Sequence, residues 1–440
     1  MKSVAAAAVA AAALAGITAP VGAQVGNPAT PTVGRPVALP PEGPSASIRP
    51  IAVTPRSGPL PSNLTLVQAL DEAAARSPAI VAADAEVAAA EARLLQAGYR
   101  TNPELSLEVE NVLGTGELAG VRSAETTLAV NQRLDLGGRR SARINAARAE
   151  LEVQRLRLAI SRGDLLRSVR EQFAHAIAAR EKLNLATENV DRARELARIA
   201  GILVDAGRDP PLRALRARSA LAQAEAEQEA ARADELAARA SLAASIGVRE
   251  PVTSVSGPMI DARGQTIFAE TSLEVRLADA ERLAAQAVLR QQLAERRVDP
   301  AVGVGVRHVR ETGDVGLVAG VSMPLQIFDR NQGNIEAARR MAAAADARRA
   351  NVFAATTARA RNAIGAVDAA QRRVAALEGS AAPEAAEALR LTELSYREGR
   401  ATLLELLDAQ ESYSRAQASL IDARLSLALA AAELSRIAAR

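Results

Sequence analysis

Glu405 and Asp408 lie three residues apart in a run of helix-favouring residues, so a helix there carries both carboxylates on one face. Such a pair is either a solvated helix face or, where copies meet around an axis, an acidic ring that favours cations. A second acidic set, Glu104, Glu108 and Glu110, alternates with Leu105, Leu107 and Val109, the period of a strand with one polar and one apolar face. Around neither set is there a nucleophile beside a base, a phosphate loop or a cluster with metal-ligand spacing. The 440 residues hold two histidines, His175 and His308, and no cysteine. That argues against a protein-borne transition-metal site, disulfides or a lipidated cysteine. No enzyme activity, cofactor or metal is expected.

The elements that must carry these residues are long helices. Aromatics make up 2% of the chain with no Trp, while Ala, Leu, Arg and Glu dominate. The 54 basic and 51 acidic residues are interspersed, so a net charge of +3 describes solvated helix faces and gives no reason to expect nucleic acid. Residues 1–23 have the charged, apolar and small-residue layout of a signal peptide. Residues 24–63 form a Pro-rich arm with ten of the twenty prolines. No later run is apolar enough for a membrane helix, so any crossing must use strands.

The plan of the rest occurs twice. Residues 64–247 read as helix, strands at about 104–112 and 125–136, a helix over 139–204, a turn at Gly207, and a helix over 212–246. After a connector at 248–271, residues 272–440 repeat this with strands at about 301–310 and 316–327 and a turn at Gly399. Ile144-Asn-Ala-Ala-Arg148 and Ile335-Glu-Ala-Ala-Arg339 differ at one position. Ile144 to Gly207 is 63 residues and Ile335 to Gly399 is 64, the mark of a duplication. Heptads at Ile144, Leu151, Leu158 and Leu165, and at Leu406, Tyr413, Leu420, Leu427 and Leu434, predict side-by-side helices. Tyr99 and Phe328 fall just beyond strand ends, where interface aromatics sit. Four strands are too few to close a barrel and an open sheet edge is not viable in lipid, so copies must share one barrel.

Pro324-Leu-Gln-Ile-Phe-Asp-Arg-Asn-Gln-Gly-Asn-Ile335 and Tyr396-Arg-Glu-Gly-Arg-Ala-Thr-Leu-Leu-Glu-Leu-Leu-Asp-Ala409, on this duplicated plan, resemble the TolC family of outer-membrane efflux channels over about residues 64–438. The first run is particularly similar to the CzcC-type branch that serves heavy-metal efflux. The resemblance implies a mainly α fold with a membrane β-barrel. A homotrimer would form a 12-stranded barrel in the outer membrane of a Gram-negative bacterium, continued by a periplasmic α-helical barrel. It implies a periplasmic adaptor and an inner-membrane resistance-nodulation-division pump as partners, and divalent heavy-metal cations as cargo. Drug efflux and type I secretion are the alternatives. It places Glu405 and Asp408 at the periplasmic gate, where Arg213, at the position matching Glu405, is expected to latch Glu405 across helices. Gly207, Gly399, Arg400, Thr402 and Leu403 fall at adaptor-docking tips, and Glu104, Glu108 and Glu110 face the lumen. A soluble adaptor or a coiled-coil scaffold would need no duplicated hairpin.

Overall fold

The computed structural model describes residues 56–260 and 271–438. The signal peptide, most of the Pro-rich arm and residues 261–270 of the connector lie outside the described residues. In chain order the elements are β1 (Asn63–Leu64), α1 (Leu66–Arg76), α2 (Pro78–Gly98), β2 (Glu104–Glu110), β3 (Glu125–Arg133), α3 (Arg139–Asp205) and α4 (Pro211–Ile246). They continue with β4 (Ser254–Val255), α5 (Leu273–Glu295), β5 (Ala301–Val309), β6 (Asp314–Ser322), α6 (Gln332–Ala376), α7 (Ala382–Arg397) and α8 (Leu403–Ile437).

Helix α1 begins at a capping box, in which the Thr65 hydroxyl and the Gln68 side chain satisfy each other's backbone N–H groups. Pro78 then opens α2 as its first residue, where its missing N–H costs nothing. Helix α3 has 67 residues, about 100 Å at 1.5 Å per residue, and it is the spine of the chain. Helices α1, α2, α4, α5 and α8 all pack against it. Leu151 and Leu158 of the expected heptad are buried, and Ile144 and Leu165 are partly so. Polar ties fix α8 against α3 along its length: Asn189 to Ser414 at 2.8 Å, Lys182 to Asp422 at 2.7 Å and Arg167 to Glu433 at 2.6 Å.

The four long strands form one antiparallel sheet in the order β2-β3-β5-β6, so β3 pairing with β5 joins the hairpins of the two halves. The register is continuous and sorts side chains by parity. Leu105, Leu107, Leu128, Val130, Val304 and Val306 fall on one face. Glu104, Glu108, Glu110, Asn131 and Arg307 fall on the other. Strands β2 and β6 each leave one edge unpaired within the chain.

All four strands stop short of their expected ends, β3 and β6 by the most. Alternation continues through Leu136 and Ile327, but Leu134 already donates to the Pro300 carbonyl and Gly138 turns left-handed at φ 75° to start α3. After β6, Pro324 has no N–H for a ladder. Asn331 then takes the left-handed position, at φ 61°, that opens α6. The same residue conformation thus marks both strand-to-helix joins.

Two features were not expected. Strands β1 and β4 form a two-residue parallel pair that ties the end of the arm to the connector. Their Leu64 and Val255 complete a core with Phe173, Ile177, Leu242 and Ile246. Second, a π-helical turn at Leu377–Ala381 separates α6 from α7, whereas α3 runs unbroken. The second half has one residue more between its matched ends, and a π turn is how a helix absorbs one residue without rotating its C-terminal part. Deleting Gly379 is therefore expected to leave folding yield unchanged. Deleting Ala186 in α3 should collapse it, because the rest of α3 turns by about 100° relative to α8. Yields of folded protein after detergent extraction check both.

Candidate functional site

The turns that end α3 and α7 have the same geometry. At the first, Gly207 (φ 68°) sits past the helix end, its N–H bonds the Val204 carbonyl and the Arg208 N–H bonds the Leu203 carbonyl at 2.8 Å. At the second, Gly399 (φ 74°) bonds the Tyr396 carbonyl and Arg400 bonds the Ser395 carbonyl at 2.8 Å. These are Schellman closures, which favour glycine at the left-handed position. A Cβ on either glycine meets nothing within 4 Å, so both turns are open on the outside.

Helix α8 then starts at Thr402. The Thr402 N–H donates to the Glu405 carboxylate at 2.6 Å, and the Glu405 N–H donates back to the Thr402 hydroxyl at 3.3 Å. Glu405 is thus a capping-box residue, and the Thr402 backbone N–H, with its hydroxyl, holds the Glu405 carboxyl below the usual glutamate range. Its side chain and that of Asp408 are both exposed, on the face away from buried Leu403 and Leu406. Acidic character at the start of the helix is favourable in itself.

The matching start of α4 is built differently. Pro210 and Pro211 replace the cap, and Arg213, at the position equivalent to Glu405, ion-pairs with Asp209. Within one chain Arg213 pairs with Asp209 and Glu405 with the Thr402 cap, so the expected Arg213–Glu405 pair is not among the contacts of these two turns. Leu403 corrects a second expectation. It is 3% exposed, in a core with Leu196, Ala200, Ala217, Leu389 and Leu406, so its side chain cannot dock a partner. The cap at Thr402 sets the helix phase, and Leu404 faces outward instead. Arg400 is exposed beside Glu398, and Thr402 is exposed but committed to the cap.

Thr402→Ala should fray the first turn of α8 by about 1 kcal/mol, whereas Glu405→Gln, which still closes a capping box, should alter charge alone. Hydrogen exchange in peptides over 403–410 should rise more in the first variant than in the second. The depressed Glu405 carboxyl favours the folded turn above the unfolded glutamate value, and that preference is lost as pH falls through the lower folded value.

At the other end of the chain, the apolar face of the sheet is uncovered. Leu105 is 71% exposed, Leu107 67%, Val304 67% and Leu317 90%. Water does not tolerate so continuous an apolar surface on a monomer. The opposite face is polar: Arg307 pairs with Glu110 at 3.1 Å and Glu125 at 2.9 Å, and donates to Thr127. Glu104 and Glu108 stand exposed on that same face. Among the described residues, no helix is long and apolar enough to cross a membrane, and no group of acidic, His or Cys side chains could hold a metal ion.

A family model described as outer membrane efflux protein matches residues 69–248 and 269–440. The chain belongs to that family. It is 32% identical over 379 residues to the cobalt-zinc-cadmium resistance protein CzcC of Cupriavidus metallidurans, spanning 83% of this chain and 87% of CzcC. It is 33% identical over 285 residues to the nickel and cobalt resistance protein CnrC of the same organism, spanning 63% of this chain and 68% of that one. Among solved structures it superposes on the outer membrane protein VceC of Vibrio cholerae with TM-score 0.70 and 21% identity, over 84% of this chain and 96% of VceC. This efflux protein resides in the outer membrane of a Gram-negative cell, with its helices extending into the periplasm. An uncovered apolar face opposite a polar one is the pattern of a strand surface suited to lipid on one side and water on the other.

Proposed function

We propose that three copies close a 12-stranded barrel, with β6 of one copy pairing β2 of the next, and that the helices continue it as a periplasmic tunnel. The observation that carries this reading is the four-stranded sheet with its apolar face bare and both outer edges free. The duct is passive and belongs to a tripartite system, fed by an inner-membrane resistance-nodulation-division pump through a periplasmic adaptor. The six turns at Gly207 and Gly399 of a trimer are the docking tips. Glu104 and Glu108 then face the lumen, beside the Arg307 cluster. Glu405 and Asp408 form an acidic ring at the periplasmic mouth, which favours cations over anions.

The cargo is divalent heavy-metal cations, which the kinship to cobalt, zinc, cadmium and nickel resistance proteins supports. A wet passage needs no cargo-binding site, and none is needed in this reading. Cells lacking the chain should accumulate cobalt, zinc or cadmium several-fold when challenged, and re-expression should restore export. Unchanged metal content, with loss of drug tolerance or of a secreted polypeptide instead, would assign the duct to another pump.

A further inference from the structure

The strand-to-helix join occurs twice, and its arginine has two different employments. In the first half, Arg139 has a countercharge: it reaches Asp299 at 3.4 Å and donates to the Glu295 carbonyl at 2.7 Å, closing the end of α5. Arg330 holds the matching place in the second half, seven residues before the Ala-Ala-Arg of the shared motif. No carboxylate lies within ion-pair distance of its guanidinium among the described residues. The same is true of Arg296, just past the end of α5.

Both arginines line a cavity of about 590 Å³, together with Arg339 from the second turn of α6. One carboxylate, Glu336, shares the site, and it is already divided between Arg339 at 3.5 Å and Arg340 at 2.8 Å. The start of α6 also borders the cavity and adds its positive end. The site therefore holds uncompensated positive charge on Arg296 and Arg330.

The other wall is apolar. Ile327 and Phe328 line it, at 60% and 89% exposure, and buried Ile335 closes its floor. Leu325 and Met323 continue this uncovered strip upward toward β6, at 74% and 56% exposure. The cavity thus lies where the lipid-facing surface of the sheet ends and the periplasmic helices begin. That is the depth of the phosphate groups in the periplasmic leaflet.

We infer that this cavity holds one anionic glycerophospholipid of the periplasmic leaflet, its phosphate between Arg296, Arg330 and Arg339 and its acyl chains along Ile327 and Phe328. The inference rests on the outer-membrane placement of the sheet. A free phosphate would have no use for the apolar wall, and a zwitterionic lipid would bring its own cation beside Arg296 and Arg330, whose charges Glu336 does not offset. Arginine is the side chain suited to bidentate contact with phosphate, and an aromatic beside it suits the boundary between headgroup and acyl chain.

The test uses the full chain, purified as its membrane oligomer. Native mass spectrometry should show phosphatidylglycerol retained in preference to phosphatidylcholine, and not displaced by millimolar inorganic phosphate. Arg296→Gln with Arg330→Gln should lower that retention about tenfold, and Phe328→Ser several-fold. Arg148→Gln, an exposed arginine elsewhere on α3, should leave it unchanged. A photoactivatable phosphatidylglycerol should label peptides within 324–339 of the unmodified protein, which reads the site even if a variant fails to assemble. Equal retention of the two lipids, displacement by phosphate, insensitivity to both arginines, or labelling confined elsewhere would each overturn the inference. None of those results depends on cargo, so failure here and failure of the metal-efflux reading are separable.

Discussion

Gly305→Val is expected to abolish folded protein in the outer membrane. A Cβ at Gly305 would stand 2.6 Å from the Leu128 carbonyl oxygen and 2.6 Å from the Ala129 Cβ, across the pairing of β5 with β3. Those atoms belong to the adjoining strand, so no flexible side chain can move aside. Overpacking of a tolerant site already costs about 1–3 kcal/mol. Here it falls on the one pairing that joins the hairpins of the two halves. Folded yield should drop at least about tenfold, the equivalent of 1.4 kcal/mol. Gly316→Val, on the same face of β6, meets nothing within 4 Å and should assemble normally. Equal yields from the two variants would mean that strand register is not what β5 requires of glycine.

Arg436→Ala should produce the largest loss of stability among the helices. Arg436 is 7% exposed and lies across α3 where Gly163 leaves room; a Cβ at Gly163 would come within 3.0 Å of the Arg436 Cδ. It pairs with Asp164 at 2.6 Å and Glu274 at 2.8 Å, and so ties α8 to α3 and α5 at one point. Removing one partner of a buried pair leaves the other charged and desolvated, which costs about 3–5 kcal/mol when burial is complete. Asp164 is half exposed and can return to water, so the lower end of about 3 kcal/mol is expected, most of it from Glu274. Denaturant unfolding of the detergent-solubilised protein, followed by helical signal, measures it. Gly163→Val should give a comparable loss by displacing the arginine. A midpoint unchanged in both variants would show that the cluster is incidental.

The helices and the sheet were legible in the sequence because their signals are long. Long runs without proline, over 139–206 before Gly207 and over 325–382 in the second half, leave little alternative to a helix, and alternation through Leu105, Leu107 and Val109 fixes the faces of β2. Short features were not legible. The β1–β4 pair involves two residues a side, too few for any period, and its partners lie far apart in sequence. The extra residue of the second half was visible as a spacing of 64 against 63, but the spacing does not say where a helix absorbs it.

At the tips, side-chain phase decided what sequence reasoning missed. Thr402-x-x-Glu405 carries a capping-box signature, and recognising it would have placed Leu403 in the core and Leu404 outside. Arg213 follows Asp209 by four residues, which was a readable local alternative to a partner on a distant helix. The glycines of β5 could be assigned to the polar face from the pattern alone. Their need to be glycine depends on how closely Ala129 and Asn131 approach, which only the register reveals.

The shared barrel is the claim on which the account stands, and the chain's lack of cysteine allows a direct measurement. Leu107→Cys in β2 can be combined in turn with Leu317→Cys, Ala319→Cys or Val321→Cys in β6. A disulfide needs Cα atoms about 4.4–6.8 Å apart, a condition met only by strands that are neighbours. Within one chain β2 and β6 are the outermost strands, separated by β3 and β5, about 14 Å at 4.8 Å per strand. Oxidation of the protein in outer-membrane fractions should therefore yield, for at least one pairing, a covalent species of three chains that persists in denaturing gels. Monomers alone from every pairing, or ladders that stop at two or run beyond three, would contradict it.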